Sequence, residues 1–103
     1  MIHNPSTVEE FNNLITNDLV LLDFWGTWCG PCLALAPVLD QLSKTIPNLT
    51  IVKINVDSLQ ELAVKYKVRG IPYLVWIKKG QIAKTHSGMT SADNLVYITQ
   101  TLA

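Results

Sequence analysis

The only two thiols of the chain, Cys29 and Cys32, stand three residues apart in Trp28-Cys29-Gly30-Pro31-Cys32. Thiols at that spacing can hold a metal, staple a fold or exchange electrons. Residues at i and i+3 of a helix keep their Cβ atoms about 5–6 Å apart, whereas a disulfide wants roughly 3.5–4.5 Å. A bridge here therefore calls for a distorted first turn and is easily reduced. It also closes too short a loop to restrict the unfolded chain much. A metal is poorly served, because zinc takes four ligands, or three with an open position in an enzyme. The chain has no second cysteine pair, and its only histidines, His3 and His86, match no zinc spacing. Leu33 stands where a c-type haem needs His, and an iron–sulfur cluster needs thiolates from a second copy. Reversible thiol–disulfide exchange is the chemistry left, with a Cys29–Cys32 disulfide as redox group and no separate cofactor or metal expected.

Within that chemistry the two sulfurs differ. Cys29 closes a loop that leads into a helix, where unpaired N–H groups and the positive end of the helix dipole favour a thiolate. It is the candidate nucleophile, and Cys32, one turn deeper, is the resolving thiol. Gly30 and Pro31 set the turn and the redox poise together. Proline pre-sets φ and lacks an N–H that a first helical turn does not use. Neither residue carries a charge to stabilise the thiolate, whereas a His in that gap would favour the dithiol and make an oxidant. The pair reads as a reductant.

The elements that must hold this pair follow from the hydrophobic pattern. Leu19 to Trp25 is a continuous apolar run of strand length, as in a strand covered on both faces, interrupted only by Asp23. After Gly30-Pro31, Leu35, Val38, Leu39, Leu42 and Ile46 form an amphipathic helical stripe, with Pro37 inside it as an expected kink. Upstream, Ser6 or Thr7 with a Glu three residues on caps a helix carrying Val8, Phe11, Leu14 and Ile15, ending near Asn17-Asp18. Thr50 to Val56 is a β-branched strand containing Lys53. Leu59, Leu62, Ala63 and Tyr66 mark a short helix, Tyr73 to Lys78 a third long strand, Lys79-Gly80 a turn and Ile82 to His86 its antiparallel partner. Thr90 or Ser91 caps a last helix with Leu95, Ile98 and Leu102 inward. The expected class is α/β, a central mixed β-sheet flanked by helices on both faces.

With 103 residues, 49% of them hydrophobic, the chain suits one domain over 1–103 that folds without covalent help. Eight basic residues balance eight acidic ones and no basic cluster exceeds Lys78-Lys79, so nucleic acid and anionic membranes are not expected partners. The N-terminus has neither a basic region nor an apolar core of a signal peptide, and no stretch approaches spanning length. A cytoplasmic location is expected, and in that reducing compartment a Cys-x-x-Cys pair is catalytic or metal-binding rather than structural.

Phe24-Trp25-Gly26-Thr27-Trp28-Cys29-Gly30-Pro31-Cys32, followed by Pro37, Arg69-Gly70-Ile71-Pro72 and Gly88, resembles the thioredoxin family in order and over almost the whole chain. That family is itself the reference example of a Cys-x-x-Cys redox motif. The resemblance implies the thioredoxin fold, protein-disulfide reductase activity on disulfide-containing proteins, and thioredoxin reductase as electron donor, with the chain acting as a monomer. It implies that Asp23 takes the proton of Cys32 through water. Burial between Leu22 and Phe24 would raise the pKa of Asp23 towards neutrality; the competing reading is an edge aspartate facing solvent. Lys53 matches a family lysine and is read either as the cross-sheet partner of Asp23 or as a snorkelling surface lysine. The resemblance makes Pro72 a cis proline facing the cysteines, so that the Ile71 backbone can pair with an extended substrate segment. Trp28, Ile71, Pro72, Gly88 and Met89 then form the apolar docking patch, though Trp28 could be a core aromatic and Gly88 a plain turn glycine. Trp25 and Trp76 read as core.

Two residues depart from the family pattern. Leu33 stands where many members carry a basic residue, and Tyr73 replaces a common Thr, adding bulk near the groove. Two other readings compete with a general reductase: a dedicated electron carrier for one enzyme, and a binding module that uses the same surface without redox turnover.

Overall fold

A computed structural model describes residues 1–103. Its elements are β1 (Ile2–His3), α1 (Val8–Leu14), β2 (Leu19–Trp25), α2 (Gly30–Thr45), β3 (Thr50–Asn55), α3 (Gln60–Lys65), β4 (Tyr73–Lys78), β5 (Gln81–Ser87) and α4 (Ala92–Leu102). The five strands lie in the order β1-β3-β2-β4-β5. β3 runs parallel to both β1 and β2, while β4 is antiparallel to β2 and β5. The mixed sheet expected from the sequence is present, with one strand added: β1 is two residues long and had no hydrophobic run to announce it. None of the helices is long and apolar enough to cross a membrane.

The unbroken apolar run of β2 has a simple cause. Successive strand residues point to opposite faces, and here each face is covered. Leu19 and Leu21 pack with Leu35, Leu39 and Leu42 of α2 and Leu95 of α4. Val20, Leu22 and Phe24 pack with Phe11 of α1 and Leu62 of α3. The same alternation sends Asp23 towards the α2 face, along with Lys53, which follows Ile51 of that cluster at the same parity. Trp76 is fully buried there and donates its indole N–H to Thr99 Oγ1 at 3.0 Å.

Local signals explain the boundaries. Thr7 caps α1 by accepting the N–H of Glu10 at 3.1 Å, and Glu10 reaches back to the N–H of Ser6 at 2.8 Å. That helix stops at Leu14, short of Asn17-Asp18. Ser91 caps α4 through the N–H of Asn94 at 3.2 Å. α2 runs through Pro37 as one helix. Lys79 and Gly80 both have positive φ, 49° and 81°, the two-residue hairpin geometry whose twist matches the flanking strands.

Candidate functional site

Because β2 and β3 are parallel and β4 is antiparallel to them, the ends of β2 and β3 and the start of β4 lie at one edge of the sheet. Three loops meet at that edge: 26–29, 56–59 and 70–72. Ligand sites of open α/β sheets form where the parallel strands end.

Cys29 is the residue just before α2, with extended backbone (φ −97°, ψ 105°). It is disulfide-bonded to Cys32, with Cα atoms 5.2 Å apart. The distorted first turn expected from helical spacing is not needed, because only Cys32 is helical. Cys29 lies outside the helix, where its side chain is free to turn back. The helix start cradles its sulfur, which accepts the N–H of Cys32 at 3.2 Å. Pro31 lies within this first turn, spending no N–H. A Cβ on Gly30 would meet nothing within 4 Å, so no close packing demands that glycine. Both cysteines are well covered, at 6% and 3% exposure, in the order expected but closer than expected. Around them the surface is open, with Gly30 and Pro31 exposed and Trp28 67% exposed. Trp28 is thus no core aromatic.

The Ile71–Pro72 bond is cis, and the carbonyl oxygen of Ile71 lies 3.8 Å from Cys29 Sγ. Pro72 is buried and Ile71 half-buried. Gly88 joins the same edge by donating its N–H to the Pro72 carbonyl at 2.9 Å. Its φ of 87° is left-handed, which explains glycine there. Met89 beside it is 47% exposed. Trp28, Ile71, Pro72 and Gly88 are therefore brought to the rim of the disulfide. Tyr73 is not where the sequence reading put it. Its ring packs on Phe24, 6.3 Å between centroids, so its bulk goes to the core on the α1/α3 face instead of the groove.

Asp23 has no exposed surface, and neither carboxylate oxygen has a hydrogen-bond partner. Burial pushes its pKa up from 3.8 to about 6, with the charge of Lys53 pulling modestly the other way. Lys53 is its neighbour in the parallel register. It makes no ion pair with Asp23; its ammonium sits over the Trp25 ring, 4.8 Å from the centroid. Lys53 is half-buried, so it combines both readings: a long-range partner in charge, and a side chain whose stem lies along apolar surface.

Two contacts escaped the sequence reading. Asp57 accepts the indole N–H of Trp28 at 2.8 Å. A Cβ on Gly26 would come within 3.0 Å of the Trp28 indole and 3.2 Å of Ile71 Cδ1. Nothing in the chain relates residues 29 positions apart, and Asp57 next to Ser58 looks like a turn aspartate. Trp28 and Ile71 also wall a groove of about 330 Å³ with Val56, Val68 and Arg69. No group of three His, Cys, Asp or Glu side chains comes together to hold a metal ion.

Comparison with known proteins agrees with this geometry. The family model described as Thioredoxin matches residues 3–101. A thioredoxin of Chlamydia trachomatis is 40% identical over 88 residues, covering 85% of this chain and 86% of the relative. One from Bacillus subtilis is 42% identical over 91 residues, covering 87% and 88%. Among solved structures, a mutant thioredoxin from Halobacterium salinarum superposes with a TM-score of 0.92 at 33% identity, covering 98% of this chain and 89% of that one. A structure described as the basis of thiol resolving in yeast mitochondrial 1-Cys peroxiredoxin via glutathione/thioredoxin systems gives 0.89 at 32% identity, covering 98% and 95%. The chain belongs to the thioredoxin family of thiol-disulfide oxidoreductases.

Proposed function

We propose that residues 1–103 act as one cytoplasmic, monomeric protein-disulfide reductase in which Cys29 attacks and Cys32 resolves. The carrying observation is the setting of Cys29: its sulfur accepts the Cys32 N–H at the start of a sixteen-residue helix and faces the Ile71 carbonyl. In the reduced protein the same N–H and helix dipole support a Cys29 thiolate. That thiolate displaces one sulfur of a partner disulfide, forming a mixed disulfide and freeing one partner thiolate, which takes up a proton. Cys32, losing its proton to Asp23 through water, then attacks the Cys29 sulfur. The second partner thiolate leaves, both electrons have passed to the partner, and the Cys29–Cys32 disulfide remains.

Asp23 suits the proton step because burial holds its pKa near 6, where it exchanges protons near neutral pH. Lys53 tunes it through charge at a distance. Gly30 and Pro31 keep the poise reducing. Trp28, Ile71, Pro72 and Gly88 receive the partner segment, which pairs with the Ile71 backbone. Disulfide-containing proteins are the substrates, among them peroxiredoxin-type disulfides like those of the yeast mitochondrial thioredoxin system. Thioredoxin reductase returns the electrons, with no resident cofactor. The test is reduction of insulin disulfides with thioredoxin reductase as donor. Wild type turns over and Cys29→Ser does not; full activity of Cys29→Ser refutes the assignment.

A further inference from the structure

The charge pattern around the disulfide says what kind of segment docks there. Between Asp23 and Asp40 the chain carries no Asp, Glu, Lys or Arg, and neither do residues 70–77 or 87–92. These three segments meet at the reactive sulfur: the first carries both cysteines and Trp28, the second puts the Ile71 carbonyl 3.8 Å from Cys29 Sγ, and the third is tied to the second by the Gly88 N–H on the Pro72 carbonyl, with Met89 exposed beside it. A further apolar side chain stands in the first of them. Leu33 is 53% exposed, and its N–H donates to the Cys29 carbonyl at 3.1 Å, which places it one turn beyond Cys29. That bond closes the first turn of α2 onto Cys29, so exposed Leu33 stands one turn from the reactive residue, which also has the Ile71 carbonyl 3.8 Å from its sulfur.

We propose that Leu33 is a specificity-determining residue: it covers an apolar side chain within two residues of the partner's reactive cysteine. The site thereby selects neutral, apolar disulfide segments over acidic ones. This rests on the reductase reading above. A partner sulfur joined to Cys29 brings its own neighbours over Leu33. An apolar neighbour gains by removing both surfaces from water. A carboxylate in the same place loses hydration, and none of the three segments offers a cation to compensate.

The test uses reduced protein and three disulfide peptides that differ only in the residue beside the attacked cysteine: Leu, Gln or Glu. Second-order rate constants are read by stopped-flow tryptophan fluorescence. Covering a half-exposed leucine is worth about a fivefold rate advantage for the Leu peptide over the Gln peptide. In Leu33→Gln that ratio falls to about one, and in Leu33→Lys the Glu peptide overtakes the Leu peptide. Ratios between peptides cancel any change that a substitution makes to the Cys29 thiolate itself. A wild-type ratio near one, or a ratio that survives Leu33→Gln, overturns the assignment. So does a Glu peptide that stays slowest in Leu33→Lys. No reaction with any peptide instead overturns the reductase reading.

Discussion

Replacing Asp23 with Asn removes a charge and almost nothing else, so it isolates the cost of holding this carboxylate under the sheet. In the folded protein its pKa is raised from 3.8 to about 6 by burial, and neither oxygen has a partner. A raised folded pKa means that the folded state binds more protons than the unfolded state between those two values. Stability is then complete below about pH 3.8, declines as pH rises towards 6 and stays lowered above it. At 1.36 kcal/mol per pH unit, the gap amounts to roughly 3 kcal/mol at neutral pH. Against a typical urea slope of about 1–3 kcal/mol per molar, Asp23→Asn should raise the midpoint by roughly 1–3 M at pH 7.5. At pH 3.5, where the wild-type carboxyl is protonated, the two proteins should unfold together. The assay is urea unfolding of the oxidised protein at both pH values, followed by far-UV circular dichroism. Equal midpoints at pH 7.5, or a gain of the same size at pH 3.5, would refute the reasoning. The first outcome would mean that the carboxylate is solvated in solution.

Other expectations follow from single contacts. Thr99→Val leaves the buried indole N–H of Trp76 without its acceptor, costing about 1–3 kcal/mol and lowering Tm by several degrees in a thermal scan. Asp57→Ala frees the exposed Trp28 ring and removes a bond worth about 1 kcal/mol. Insulin reduction should fall several-fold in kcat/KM, while Tm falls by no more than about 4–8 °C. Gly26→Ala pushes a Cβ against the Trp28 indole and Ile71, which must give by a few tenths of an ångström. A displaced Nε1–H resonance of Trp28 in the NMR spectrum checks this, and an unmoved resonance contradicts it.

Much of the architecture is legible because the chain announces it locally. β2 has an unbroken apolar run since both its faces are covered, α2 has its stripe, and Thr7 and Ser91 cap their helices as their positions suggest. β1 is invisible because two residues pairing with β3 need no pattern of their own. At the site, the two sulfurs and Asp23 are readable because their residue types are unusual where they stand, whereas the place of Ile71-Pro72 is reached only through the family resemblance. The Trp28–Asp57 bond, the closeness of Gly26 to the indole and the direction of Tyr73 are not, because each depends on which loop comes to lie beside which. Lys53 shows the intermediate case: register puts it opposite Asp23, but its flexible stem carries the ammonium to Trp25.

The division of labour between the two sulfurs can be read from a trapped complex. Reduced Cys32→Ser mixed with a disulfide-containing protein should accumulate a mixed disulfide through Cys29, identified by mass-spectrometric peptide mapping, because the thiol that would release it is gone. Cys29→Ser under the same conditions should accumulate none. A stable adduct on Cys32 of Cys29→Ser, with none on Cys29 of Cys32→Ser, would contradict the assignment of Cys29 as the attacking sulfur.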